Sequence, residues 1–179
     1  EHPWEQMYVT VYGSVLPNED AGGFGMWYMA GAKGMQKQQF MCYAESSDGV
    51  CWRKVLSTAH PHEEGTETNI VLGSEANGHG PCVIRNEHSD SSDEKYLVFY
   101  DSYWYHRPEI KDTIEGIRWC YTATSPDGIT WSPPKGRLAV PGKSDVGQSV
   151  LWDPSRKVYL AYMRGSRHDT GIGQGRYVR

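Results

Sequence analysis

The chain has 179 residues, with 18 basic and 22 acidic side chains and a formal net charge of −4. That balance lacks the basic excess of a nucleic-acid-binding surface, and no run approaches the roughly 18 consecutive apolar residues of a membrane-spanning helix. Seven Trp, 12 Tyr, 20 Gly and 10 Pro, with short apolar runs and no sustained helical period, point to an all-β chain.

The N-terminal "EHPWEQ" has no basic region followed by an apolar run, so a signal peptide is absent or already removed. A secreted or periplasmic location is expected ahead of a cytoplasmic one. Trp4 stands beside Glu5. That pairing suits a sugar site, where the ring stacks on a pyranose and the acid bonds hydroxyls. The alternative is a solvated terminus.

Next comes "GSVLPNEDAGGFGMWYMAG" over 13–31, two apolar strands around a polar turn. Such a pattern predicts a β-hairpin. A third strand follows in "QFMCYAES" (39–46), then "SSDGVCW" (46–52) leads into a fourth. Asp-Gly between β-runs predicts a tight type I′ hairpin, whose two central positions need positive φ. The neighbouring Ser and Asp side chains can bond the turn's backbone.

The long connection 57–80 carries His60, His62, Glu63, Glu64, Glu67 and Asn69. Long loops on a rigid scaffold concentrate function. His60 and His62 share a face if extended, so both could reach one ion beside Glu63, but no further ligand is placed and no metal is assigned.

The pattern then recurs. "GPCVIRNEHSDSSDEKYLVFYDS" (80–102) and "GQSVLWDPSRKVYLAYMRG" (147–165) repeat the first hairpin, with Gly13, Gly80 and Gly147 spaced 67 apart. "IRWCYTATS" (117–125) repeats the third strand, and "SPDGITW" (125–131) repeats "SSDGVCW" 79 positions later. Four antiparallel strands per repeat with recurring aromatics mean β-propeller blades. Blade one covers about 8–57, blade two about 79–136, and a partial blade three about 145–179. About two and a half blades fall short of a ring, so the remaining blades are expected from the rest of a longer polypeptide or from another one. Cys42, Cys51, Cys82 and Cys120 form no CxxC pair and no zinc spacing. Cys42 and Cys120 read as small buried hydrophobes inside strands, with a disulfide as the alternative.

"MWYMAG…YAESSDGVCW", "CYTATSPDGITW" and "VLWDPSRKVYLAYMR" resemble the blades of five-bladed β-propeller glycoside hydrolases related to families 32 and 43. The resemblance covers nearly the whole chain. It implies a carbohydrate substrate in a pocket at one end of the propeller axis, cleaved by carboxylates from different blades. No cofactor is expected, although several families of this fold hold a calcium ion or a water on the axis. In the arabinosidase-like members an Asp often precedes Pro on an innermost strand; Gly80 stands there in blade two. The sucrose-hydrolase signatures Asn-Asp-Pro-Asn-Gly and Arg-Asp-Pro are absent, which keeps the expected activity at the level of its class.

Antiparallel pairing places the start of each first strand beside the end of the second, at the pocket rim. The Asp-Gly turns with Asp48 and Asp127 fall at the opposite end, as scaffold. Asp145, Glu5 and His79 are the candidate catalytic groups, since carboxylates and an imidazole near neutral pH supply acid, base or nucleophile. Trp4, Asp101, Trp104, Arg164 and Glu67 are candidate substrate contacts, with Trp104 in the aromatic run "YDSYWYHRPE". Hydrolysis requires several acids among Glu5, Glu67, Asp101 and Asp145 to converge within roughly 5–10 Å. A non-catalytic carbohydrate-binding propeller, or a structural one, is the competing reading.

Overall fold

The computed structural model describes residues 2–32, 39–62, 65–103, 118–165 and 175–178. These residues are almost wholly β. A first antiparallel sheet runs in the order β1 (Tyr8–Pro17), β2 (Phe24–Gly31), β3 (Gln39–Ser46) and β4 (Arg53–Lys54), as the repeat predicts. A fifth strand, β5 (Ile70–Leu72), adds to β3 beyond the end of β4. The connection 57–80 is therefore not only a loop: its Thr68, Asn69, Ile70, Val71 and Leu72 are all buried.

The second sheet holds β6 (His79–Arg85), β7 (Tyr96–Tyr103), β8 (Arg118–Ser125), β9 (Ser132–Asp153), β10 (Val158–Gly165) and β11 (Gly175–Val178), in sequence order. Here the structure departs from a simple sequence of separate units. The segment 132–153 is one continuous 22-residue strand. Its first half pairs β8, and its second half pairs β10. The second and third repeats are thus hydrogen-bonded into a single sheet, with no closed sheet among the described residues.

β2 and β3 are nearly continuous apolar runs because both their faces are covered. Trp27, Met41 and Tyr43 pack against Val83, Val98, Tyr100 and Trp131 of the second sheet. Tyr28, Ala30, Cys42 and Ala44 point the other way, where Trp4 and Ile70 cover them. A third cluster joins Leu97, Phe99 and Cys120 to Val150, Ala161 and Met163. Each fully buried large side chain contributes about 1.5–3 kcal/mol by leaving water. All four cysteines are free thiols, and Cys42 and Cys120 are fully buried.

The Asp-Gly segments do not make the expected type I′ turn. Gly49 has φ +75° and Gly128 φ +77°, but Asp48 and Asp127 are not at positive φ. Residues 47–52 instead form a six-residue loop between β3 and β4. Ser46 Oγ accepts from the Gly49 amide at 2.8 Å, and Asp48 Oδ1 accepts from the Val50 and Cys51 amides at 2.8 Å each. In the second copy Ser125 Oγ accepts from Gly128 N at 2.8 Å, and Asp127 Oδ1 from Ile129 N at 2.8 Å and Thr130 N at 2.7 Å. The side-chain caps replace the hairpin hydrogen bonds, which is why Ser and Asp recur with the Gly.

The second copy also joins the sheets. Trp27 Nε1 donates to the Gly128 carbonyl at 2.6 Å, and its ring lies where a Cβ on Gly128 would stand. Trp131 is buried in the same interface.

The glycines spaced 67 apart have a further role. Pairing of β1 with β2 slips between Thr10 and Ser14, that of β6 with β7 between His79 and Cys82, and that of β9 with β10 at Tyr162/Arg164, opposite 149 and 145. Gly13, Gly80 and Gly147 each lie inside one of these irregularities. A Cβ on Gly13 would collide with the Trp27 carbonyl oxygen. The repeat therefore places a glycine inside a register irregularity at the same place in each inner hairpin, and at Gly13 two backbones approach too closely for a side chain.

Candidate functional site

Beyond each bulge the hairpin ends at a common rim, and a bulge re-aims the residues that follow it. At the second hairpin His79 stands opposite Asp101. Directly paired residues project from the same face of a sheet, about 5 Å apart at Cβ. Asp101 is completely buried and His79 nearly so. Asp101 faces the third cluster, beside Cys120. Burial first, and then the Asp101 charge, push the Cys120 thiol well above its ordinary range. At the third hairpin the register sets Asp145 opposite Arg164. The two pairs belong to consecutive repeats of one sheet. Gly80, at φ +59°, follows His79 and donates its amide to Met29 Sδ at 2.9 Å, which locks the backbone at the rim to β2.

The connection before His79 completes this end. Asn77, fully buried at φ +45°, accepts from the Gln39 amide at 3.1 Å. Ser102, next to Asp101, donates to the Ala76 carbonyl at 2.7 Å.

Glu5 and Trp4 lie elsewhere. They occupy a single 3-10 turn, Pro3–Glu5, on the face of the first sheet that points away from the second. Trp4 Nε1 donates to Asn69 Oδ1 at 2.9 Å, and Asn69 Nδ2 donates to the Tyr28 hydroxyl at 2.6 Å and to the Tyr43 carbonyl at 3.0 Å. Tyr28 in turn donates to Glu5 Oε1 at 2.7 Å, and Lys54 is ion-paired with Glu5 Oε2. Burial opposes charge on the Glu5 carboxyl, but the Lys54 ammonium and the Tyr28 hydroxyl outweigh it and hold the group below the usual carboxylate range. The same burial drives the Tyr28 phenol far above its ordinary value. This network is a plug that fixes the N-terminal segment to β2 and β4. A cleft of about 320 Å³ opens beside it between Val9, Val11, Met26 and Trp52.

The predicted site residues thus divide. His79 and Asp101 come together, and Asp145 and Arg164 come together by register. Glu5 and Trp4 are separated from them by the first sheet and the interface behind it. Glu67 is exposed, next to the bridged Thr68. Trp104 lies outside the described residues. Of the acids from which a converging set was expected for hydrolysis, Glu5 and Glu67 lie apart from Asp101. His60 and His62 have different surroundings. His60 Nδ1 is 3.4 Å from Glu75 Oε1, while the His62 ring packs against Trp4 and Phe40. Glu63 lies outside the described residues, and no group of three or more metal-ligating side chains gathers among those described.

Sequence reasoning missed Tyr28, Lys54, Asn77 and Glu75. Tyr28 sits inside an apolar strand and Lys54 at a strand edge, where nothing local marks a buried polar network. Asn77 had one usable signal: "NG" is a positive-φ dipeptide within an otherwise featureless connection.

No protein-family profile matches the sequence, and no curated protein does. Solved structures do resemble it. One, described as a complex of BT0996 with RGII, is 18% identical, with a TM-score of 0.58 and coverage of 99% of this chain and 47% of that one. Another, described as "Glycoside hydrolase", is 19% identical, with the same TM-score and the same coverage. The protein spans about half the length of these solved structures. At such identity the likeness is one of fold, and on that ground the protein has a glycoside hydrolase-like, all-β fold.

Proposed function

We propose that this protein forms part of a β-propeller glycoside hydrolase and that its rim, with His79, Asp101, Asp145 and Arg164, contributes to the saccharide site. The observation that carries the reading is the recurrence of a glycine in a register irregularity just after each rim position, in a chain whose fold resembles that of a glycoside hydrolase over 99% of its length. Asp145 is the first candidate for acid, base or nucleophile, with Asp101 and His79 positioning or bonding hydroxyls. The propeller reading is supported by two uncovered apolar faces. On the first sheet Val9 and Val11 are 55% and 61% exposed; on the far side of the second, Leu151, Val158 and Tyr162 are exposed. Further blades, from the same polypeptide or another one, would cover both. Because one structural neighbour is described as a complex with RGII, an RGII preparation joins the substrate panel.

The test is release of reducing sugar from a panel of plant polysaccharides by the full polypeptide. Asp145→Asn should lower kcat at least about 100-fold with an unchanged melting temperature. Full activity in that variant sinks the assignment of Asp145.

A second reading, a non-catalytic carbohydrate-binding propeller, is favoured by one specific observation. Glu5 is committed to Lys54 and Tyr28 on a remote face, which removes one acid from the paired-carboxylate set. Binding of polysaccharide without any hydrolysis, in the full polypeptide, would establish that reading.

A further inference from the structure

A second concave site lies on the connection ahead of His79. It is a pocket of about 410 Å³ walled by Phe40, Pro61 and Ile70, with His60, Ser74 and Glu75 as its polar side chains. The size falls in the range of small-ligand pockets. His60 Nδ1 and Glu75 Oε1 are 3.4 Å apart, and the two side chains are only 22% and 33% exposed. Two functional groups on one connection, fifteen positions apart in sequence, are therefore held side by side at the mouth of an apolar hollow.

Gly73 makes that arrangement possible. A Cβ there would stand 2.8 Å from His60 Nδ1 and would strike Glu75 Oε2. The turn that follows is fixed. The amides of Ala76 and Asn77 both donate to the Gly73 carbonyl, at 3.2 and 3.3 Å. Ala76 receives the Ser102 hydroxyl, and Asn77 receives the Gln39 amide. The wall of the pocket and the Asp101–His79 pair are thus tied to one five-residue turn.

The chemistry of the lining selects a ligand class. With Nδ1 turned to Glu75, the His60 ring presents Nε2, and the carboxylate presents its second oxygen. A hydrogen-bonding pair beside Phe40, Pro61 and Ile70 matches a sugar ring, which offers adjacent hydroxyls on one edge and C–H groups on its face. Among the described residues no Lys or Arg lines the pocket, and Glu75 would repel a second carboxylate. We propose that this pocket is a subsite for a neutral pyranose unit of the saccharide and rejects uronate units. The identity of the ligand as a saccharide rests on the glycoside hydrolase reading; the preference for a neutral ring rests on the pocket's own residues.

Amide NMR spectra of the protein test it, recorded during titration with methyl β-D-galactopyranoside, methyl β-D-xylopyranoside and, separately, sodium D-galacturonate. The expected result is saturable shifts at Gly73, Ser74 and Glu75 with at least one neutral pyranoside, at a Kd on the order of 1–10 mM, and none with galacturonate. Glu75→Gln, a partly exposed and isosteric change, should weaken binding at least tenfold while leaving the rest of the spectrum in place. Gly73→Ala, whose methyl would displace the tips of His60 and Glu75, should weaken it. Absence of saturable shifts with both neutral sugars overturns the proposal, and so does tighter binding of galacturonate. The two readings fail separately. Sugar binding at this turn in a protein with no hydrolytic activity sinks the hydrolase reading alone. Hydrolysis with no binding here, unaltered by Glu75→Gln, sinks the subsite alone.

Discussion

At the scale of single residues, the duplicated Ser-x-Asp-Gly segments carry different loads although their hydrogen bonds match. Both glycines are at positive φ, where an L side chain costs about 1–2 kcal/mol. A Cβ on Gly49 would meet only Phe24 carbons at 3.6 and 3.7 Å. A Cβ on Gly128 would stand 2.5 Å from Trp27 Cζ2, against a ring already bonded to the Gly128 carbonyl. Gly49→Ala should therefore destabilise by about 1–2 kcal/mol and Gly128→Ala by about 3 kcal/mol or more, since overpacking adds to the backbone strain. Urea unfolding of both variants checks this. Equal losses would mean that the contact between Trp27 and the second turn does not hold the sheets together. The turn chemistry was legible from the sequence, because Ser, Asp and Gly act on their own neighbours. The unequal burden was not, because Trp27 lies 101 positions from Gly128.

At the scale of elements, the N-terminal turn is joined to β2 and β4 by a buried polar network, and this gives it a pH dependence. The folded carboxyl of Glu5 titrates below its unfolded value. Its contribution is thus fully present above the ordinary Glu range, about 4.3, and is lost as pH falls through the lower folded value. Lys54 is one-third exposed and can turn to water when its partner is removed. Glu5→Gln should then cost about 1–3 kcal/mol near neutral pH, chiefly through the lost charge-assisted bonds. The gap between the variant and the parent should narrow as the pH falls through the lowered folded value of Glu5. Thermal melts over an acid pH series follow it, and a gap that persists down to the acid-unfolding limit would show that Glu5 is not the anion in this network. The bulges belong to the same scale. Gly13, Gly80 and Gly147 could be aligned in the sequence, but their purpose depends on the partner strand, since the obstacle to a side chain at Gly13 is the carbonyl of Trp27 across the hairpin.

At the scale of the whole molecule, the first sheet stacks on the second, and the two halves of the second stack on each other. Trp27 of the first repeat and Phe99 of the second face onward in this way, and Tyr162 of the third stands at the corresponding place, 37% exposed. The first sheet's outer face is likewise only partly covered, with Trp52 half-buried where Trp131 is buried. A Val9→Lys, Val11→Lys double variant of the 179-residue protein should bind less apolar dye and change stability by less than about 1 kcal/mol, as surface substitutions do. In a longer polypeptide whose further sheets cover this face, the same pair should destabilise by several times that amount, because two charges would be buried without partners. Similar stability losses in both contexts would count against coverage of this face by another sheet.

The sequence by itself determined the β class, the hairpin positions and the capped Asp-Gly segments. Each of these follows from short-range chemistry: period-two apolar runs, turn residues and side chains that bond their own backbone. Only the tertiary structure decided which candidate residues stand opposite one another across a strand pair. Whether a side chain on a strand faces a neighbouring sheet, an open cleft or the rim depends on stacking and on register slips such as that between His79 and Cys82, where one extra residue reverses the face. His79 meets Asp101 and Asp145 stands across from Arg164 because bulged hairpins end together, whereas Glu5, although it is just as acidic and stands beside a Trp, is drawn to Lys54 and Tyr28 on the opposite face of the first sheet.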